Sequence, residues 1–433
     1  MRKTLRLTDK LTVHKSDRLD EHYYAIKHRS GLDILIFPKK LSTCFAVFGT
    51  RFGSVDMRFT LDGKKCRLPA GTAHFLEHKM FENADGVNSD ERFAALGAED
   101  NAYTNYTATR YMFGATENIG ECLTELLRLV THPFFTEENV KKEQGIIEQE
   151  ILMYMDDPYE RAMENCLRAM YFSSGIRESI CGSRSSVRKI TPEILYKAYG
   201  AFYGLHNMVL SVCGDVSPEE ILEICDRELP KESADPALVL REIPDEPSNS
   251  SKERTVCRMN VSRPMFFIGV KDGTRACGKA RLRRGLAMNI LNNMLFSGTG
   301  EFYNILLDSG LITPGFSFGY SAGDGFALNY FSGNSDSPER VFELIKEKAY
   351  DACHTLDRED FERCRRASLA QYVRAFDSTS EIADDVMLTA YYAESDPFEI
   401  PGMIESLTFE ELSALPSELF LPDRFTLSLV LPL

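Results

Sequence analysis

Residues 190–212 read ITPEILYKAYGAFYGLHNMVLSV and residues 407–429 read LTFEELSALPSELFLPDRFTLSL, two stretches that superpose without a gap at an offset of 217 residues. Ile190–Leu195 overlies Leu407–Leu412, with Thr191 and Thr408 where a helix cap belongs, and Asn207–Val212 overlies Arg424–Leu429. Each copy predicts a Thr-capped helix followed by an apolar strand. An ungapped match of about twenty residues points to duplication of a whole unit, more than to two chance helix-then-strand patterns. A second pair agrees at an offset of 221 residues, where the stretch from Glu138 resembles the stretch from Glu359 and both end near an Asp, Asp156 and Asp377.

Working outward, two copies of one domain are expected, residues 1–230 and 254–433. Between them KESADPALVLREIPDEPSNSSKE, residues 231–253, replaces periodic apolar residues with Pro, Ser and charge, and reads as a linker. Strand-like runs (Leu32–Phe37, Cys44–Phe48, Met265–Val270) alternate with long helical patterns. The expectation is an α+β fold of two homologous domains, each a mainly antiparallel sheet with helices packed on one face.

The bulk properties bound the function. A chain of 433 residues exceeds what one hydrophobic core usually organises, in keeping with two domains. A net charge of −15 argues against a nucleic-acid-binding surface, because phosphate affinity needs clustered Lys and Arg. Eleven scattered cysteines without a C-x-x-C pair fit free thiols in a reducing cytoplasm. The basic N-terminus has no apolar stretch behind it, so no secretory signal is expected, and no window reaches the roughly 18 apolar residues of a membrane span. Gly63-Lys64-Lys65 lacks phosphate-loop spacing and reads as a turn.

The chemistry concentrates in His74-Phe75-Leu76-Glu77-His78, which follows Pro69-Ala70-Gly71 with Thr72 as the expected N-cap. On a helix His74 and His78 lie one turn apart on one face, so both imidazoles can reach a single ion. Glu77 lies beside them, placed to take a proton from metal-bound water. By itself the five-residue pattern also fits a surface helix with two ordinary histidines, and a third ligand decides the matter. In residues 136–158 Thr136 caps a helix that ends at Pro158. Val140, Ile147 and Tyr154 form one stripe at seven-residue intervals, and Glu143 and Glu150 occupy its alternate positions. Burying that face buries two carboxylates, which a cation would compensate. Glu150 is assigned as third ligand, and Glu143 as the residue that orients a ligand or the water. Two His and one Glu with a vacant position describe a catalytic Zn2+ site.

His74–His78, the helix of Glu143 and Glu150, and Asn101-Ala102-Tyr103-Thr104 together resemble the pitrilysin/insulinase family of inverted-motif zinc peptidases. The similarity extends over Gly53–Asp56 and Cys213–Val216, and is strongest to the bacterial two-domain branch related to mitochondrial processing peptidase. The resemblance implies a zinc metalloendopeptidase acting on unfolded peptides or peptide precursors, with a metal-free second copy. The repeat agrees, since His74, Glu77 and His78 correspond to Leu291, Met294 and Leu295, and Glu150 to Gln371. It also implies that Asn101, Ala102, Tyr103 and Thr104 form an edge strand that pairs with peptide backbone. Family enzymes use an Arg and a Tyr from the metal-free half to hold the substrate. Here LLDSGLITPGFSFGY has no Arg, Phe316 stands where the Tyr is expected, and Tyr320 is the nearest substitute. A hetero-dimer with a paralogue supplying Arg and Tyr is therefore expected, with a homo-dimer as the other possibility. The same departure leaves open a catalytically silent subunit or scaffold.

Overall fold

The computed structural model describes residues 10–234 and 236–433, so the first nine residues of the basic N-terminal stretch lie outside it. Its strands are β1 (Lys10–Ser16), β2 (Glu21–Lys27), β3 (Asp33–Pro38), β4 (Cys44–Thr50), β5 (Arg58–Leu61), β6 (Lys64–Arg67), β7 (Glu99–Thr104), β8 (Thr109–Ala115), β9 (Met208–Gly214), β10 (Val239–Arg241), β11 (Arg254–Met259), β12 (Met265–Lys271), β13 (Ser317–Gly323), β14 (Phe326–Asn334) and β15 (Phe425–Pro432). A seven-stranded sheet runs β1-β2-β3-β9-β4-β8-β7 and a five-stranded sheet runs β11-β15-β12-β14-β13. Each holds one parallel pair, β3 with β9 and β11 with β15, the remaining pairs being antiparallel.

Setting β3, β4, β7, β8 and β9 against β11 to β15 gives the same neighbour order with the same parallel pair, so the duplication written in the sequence recurs in the topology. The helices Pro192–Phe202 and Phe409–Leu419 begin on Thr191 and Thr408, whose hydroxyls accept the amides of Ile194 and Glu411. Gly63 lies in the turn between β5 and β6, with Asp62 and Gly63 both at positive φ.

The strands are apolar on both sides, and both sides are covered. Ile34, Ile36, Phe48, Tyr111 and Val212 face the helices of the first half. Leu35, Phe37, Val47, Met112 and Cys213 face the opposite way, against Phe376, Ile382, Val386, Met387 and Leu388 from the second half. The exchange is reciprocal. Helix Pro158–Met170 of the first half sets Ala162, Cys166 and Met170 on Phe267, Leu328 and Val430 of the second sheet. Each fully buried side chain of this kind contributes about 1.5–3 kcal/mol. The fit is close: a Cβ at Gly269 would stand 1.9 Å from Met170 Cε. Helices of each half thus cover one face of its own sheet, and a helical segment lent by the other half covers the second.

Residues 231–253, read as a linker, are fastened to both halves. β10 pairs with β5 and, with β6, completes a three-stranded sheet. Further on, the Glu246 carboxylate accepts the N–H groups of Phe172 (3.0 Å), Ser173 and Ser174 (2.5 Å), and pairs with the buried Lys271 of β12 (2.9 Å). Charge-assisted hydrogen bonds, invisible to composition, make this segment a brace.

Burial opposes ionisation of Glu246, but the Phe172 amide, Lys271 and the Ser173 amide outweigh it and hold the carboxyl down at about 2. Because the folded-state pKa is depressed, the stabilisation is fully present above the unfolded value of about 4.3 and is lost as pH falls towards about 2. Glu246→Gln is expected to lower the unfolding free energy by about 2 kcal/mol at neutral pH. The gap from the native chain should narrow below about pH 4.3. Urea midpoints of both proteins at the two pH values check this, and a gap that stays constant would count against it.

Candidate metal centre

Helix Thr72–Lys79 carries the motif, and its N-cap is Gly71 at φ +90°, one residue before the Thr72 expected from the sequence. Thr72 is instead the first helical residue and donates its hydroxyl to Pro69 O at 2.7 Å. The reason is a backbone-to-backbone contact. A Cβ at Gly71 would stand 2.4 Å from Cys181 O, and one at Gly182 (φ +74°) would stand 2.4 Å from Ala70 O. Only glycines allow the two loops to touch there. Phe75 and Leu76 enter the core, which turns His74, Glu77 and His78 to the other side, the two imidazole centroids 4.6 Å apart.

Helix Glu137–Asp156 opposes it. Thr136 caps this helix reciprocally with Asn139, and Val140 and Ile147 are buried along the stripe read from the sequence. Glu148, on the outer side, pairs with Arg188 (2.5 Å). Glu143 is 6% exposed; its Oε1 lies 3.1 Å from His78 Nδ1 and its Oε2 lies 3.6 Å from Lys79 Nζ. An ionised carboxylate only accepts, so His78 Nδ1–H donates and Nε2 keeps its lone pair.

The Glu150 oxygens lie 3.6 Å from His74 Nε2 and 3.6 Å from His78 Nε2. These separations are too long for hydrogen bonds. They approach the roughly 3.4 Å expected between two donors sharing a tetrahedral ion at bond lengths of about 2.0–2.2 Å. Glu150 Oε2 is buried and accepts no hydrogen bond among the described residues. Donor type and the orphaned oxygen fit a zinc ion held by His74, His78 and Glu150, each histidine facing a different oxygen of Glu150. One further neighbour, Cys181, has its Sγ 3.8 Å from His74 Nε2, and no sequence signal points to it. It stands in a loop with no spacing relation to the motif, brought there by the Gly71–Gly182 contact.

The electrostatics separate the five titratable groups of the centre. Burial raises Glu77 above the usual carboxylate range despite His74, the Thr104 hydroxyl and His78. For Glu143, burial is outweighed by His78 and Lys79, and the carboxyl is lowered; for Glu150, burial is outweighed by His74 and His78. Burial works against His78 protonation, but Glu143 and Glu150 prevail and raise it. Burial, then Glu150 and Glu164, push the Cys181 thiol up.

β7 lies at the edge of its sheet, and its Thr104 hydroxyl donates to Glu77 Oε2 at 2.5 Å. Tyr103 donates to Asp384 at 3.0 Å, beside the Arg110–Asp384 pair (2.5 Å). A cleft of about 430 Å3 is lined by His74, Glu77, His78, Ala102, Tyr103, Thr104 and Glu150. Asn101 is exposed outside that lining and holds the Ala102 N–H with its own Oδ1 at 2.8 Å. A larger cleft of about 860 Å3 behind Pro69 and Ala70 holds none of the ligand candidates. In the second half Phe316 is buried among Phe266, Phe318 and Phe331, and the Tyr320 hydroxyl is committed to Asp272 at 2.8 Å.

Gly182→Ala is expected to cost at least about 2 kcal/mol, from the positive φ and the clash with Ala70 O, and to weaken zinc binding by displacing the cap of the motif helix. Thermal unfolding and zinc titration measure both; a variant with native values in each would show that the loop contact does not position His74.

A family model described as Insulinase (Peptidase family M16) matches residues 68–183, and one described as Peptidase M16 inactive domain matches residues 189–368. The uncharacterized zinc protease YmfH of Bacillus subtilis (strain 168) is 34% identical over 422 residues, covering 96% of this chain and 98% of that protein. A probable mitochondrial-processing peptidase subunit beta of Arabidopsis thaliana is 26% identical over 183 residues, 41% of this chain and 34% of that one. The crystal structure of a putative M16-like peptidase from Alicyclobacillus acidocaldarius superposes with a TM-score of 0.90 at 32% identity, covering 100% of both chains. A Helicobacter pylori protease shares the fold at a TM-score of 0.82 and 16% identity, covering 95% of this chain and 100% of that one.

Proposed function

This chain belongs to the insulinase family, peptidase family M16, and from that premise we propose that it is a zinc metalloendopeptidase that cuts extended, unfolded peptides or peptide precursors. The observation that carries the reading is Glu77, buried beside His74, His78 and Glu150 and tied by Thr104 to an edge strand. When bound by His74, His78 and Glu150, zinc supplies a Lewis acid that polarises the scissile carbonyl and acidifies a water. Glu77 takes the proton of the attacking water and returns it to the leaving amine. Thr104 fixes one Glu77 oxygen and leaves the other for that transfer. Glu143 holds the His78 ring through Nδ1.

Peptide adds as a further strand on β7, so that Ala102, Tyr103 and Thr104 read backbone more than side chains. Glu160 and Glu164 also line the cleft and favour basic side chains in the bound peptide. With Phe316 buried, Tyr320 engaged by Asp272 and no Arg in residues 306–320, that segment offers no free Arg–Tyr pair for substrate. We therefore assign the active enzyme to a dimer with a non-identical paralogue, which supplies those groups. Free thiols at all eleven cysteines suit a cytoplasmic setting. Among the described residues no helix is long and apolar enough to cross a membrane.

The test is cleavage of an unfolded basic peptide by the purified chain, with and without the paralogue, before and after chelation. Cleavage should be weak for the chain alone, rise at least ten-fold with the paralogue, and vanish on chelation until zinc is restored. Zinc retained with no cleavage in either mixture would favour the silent-subunit reading. Full-rate cleavage by the chain alone, unchanged by chelator, would remove both the metal and the partner.

A further inference from the structure

Cys181 stands in the centre itself and no step of the proposed hydrolysis uses it. His74, Glu150 and Cys181 each present a donor atom within 4.8 Å of the other two. The Sγ to His74 Nε2 distance is 3.8 Å, and Glu150 Oε1 lies 3.6 Å from the same nitrogen. A tetrahedral zinc ion with bonds of about 2.3 Å to sulfur and about 2.0–2.1 Å to nitrogen sets its S and N donors roughly 3.5 Å apart. Cys181 is therefore placed to share an ion with His74 and Glu150, while His78 lies outside that group and faces the other Glu150 oxygen at 3.6 Å. The position of Cys181 is imposed rather than adjustable. The thiol is 6% exposed, and the next residue, Gly182, is locked backbone to backbone against Ala70 and Gly71.

Resting on the zinc-peptidase reading above, we propose that Cys181 is the fourth protein ligand of the zinc ion in the substrate-free protein. Three protein ligands and an open position make a catalytic zinc site, whereas four make a closed one. The resting centre is thus closed by its own thiolate. On ligation the thiol gives its proton to solvent; when peptide and water enter, the thiolate leaves the ion and takes a proton back. No electrons change hands. The same 3.8 Å contact could instead be a thiol donating a hydrogen bond to a neutral imidazole, which predicts no metal–sulfur bond.

Cobalt separates these outcomes, since Co2+ replaces zinc in such sites and reports its ligands by colour. The full chain is stripped with chelator, reloaded with Co2+, and its absorption recorded without substrate. The native protein should show visible bands of four-coordinate cobalt together with a near-ultraviolet thiolate-to-cobalt charge-transfer band. In Cys181→Ser the charge-transfer band should fall to baseline while the visible bands persist, although the other ten cysteines remain. A measurement on the native chain alone guards against misfolding of the variant: X-ray absorption of the zinc-loaded protein should find one sulfur at about 2.3 Å. Visible bands without charge transfer, charge transfer that survives in Cys181→Ser, or no sulfur around zinc would each overturn the inference and leave the peptidase reading standing. A chain that binds neither cobalt nor zinc would overturn both.

Discussion

Glu77→Gln is expected to reduce peptide cleavage about a thousand-fold or more while the protein still binds one zinc ion. The amide has the shape of the carboxylate and can still accept the Thr104 hydroxyl, so neither the helix nor β7 has cause to move. His74, His78 and Glu150 keep their donors. What is lost is a group able to take a proton from water, and burial, which raises Glu77 from its ordinary value, suits it to that task. The measurement is kcat/KM on an unfolded peptide alongside zinc content, both with the paralogue present. Unchanged cleavage would sink the assignment of the base, and loss of zinc together with activity would recast Glu77 as a structural residue.

Arg110→Met should have the largest effect on stability, about 3–5 kcal/mol. Arg110 in β8 is buried and pairs with Asp384, which belongs to the segment that the second half lays across the first sheet. Removing the guanidinium leaves the half-buried Asp384 carboxylate with, among the described residues, only the Tyr103 hydroxyl donating to it. Restoring neutrality with Arg110→Met/Asp384→Leu should recover most of the loss, because an apolar pair of similar size often replaces a buried ion pair at little cost. Thermal unfolding of the two single variants and the double variant closes the cycle. If the single and double variants unfold at the same temperature, the pair is not what holds the segment down.

Features that depend on neighbours along the chain are legible in the sequence itself. The 217-residue register becomes a shared strand order, and the heptad stripe that sets Glu143 and Glu150 beside Val140 and Ile147 puts both carboxylates against the two histidines. Features that depend on distant backbone meeting are not. Nothing in Pro69–Thr72 says that residue 182 will touch Gly71, so sequence reasoning puts the cap on Thr72 and passes over Cys181. Continuous apolar strands announce that both faces will be covered, but not that the cover comes from the other half. Likewise nothing in residues 101–104 announces that the Tyr103 hydroxyl will be engaged by Asp384, far along the chain.

The exchanged helices also set a timetable for the nascent chain. The first sheet is complete once β9 is made, yet Phe376 to Leu388, which shield its outer face, follow roughly 160 residues later. At about 5–20 residues per second the ribosome leaves Leu35, Phe37, Val47 and Met112 bare for roughly ten to thirty seconds. During that interval the emerging half presents a sticky plate to every other nascent chain, and its yield in a cell depends on how quickly translation finishes or on a chaperone that sits there meanwhile.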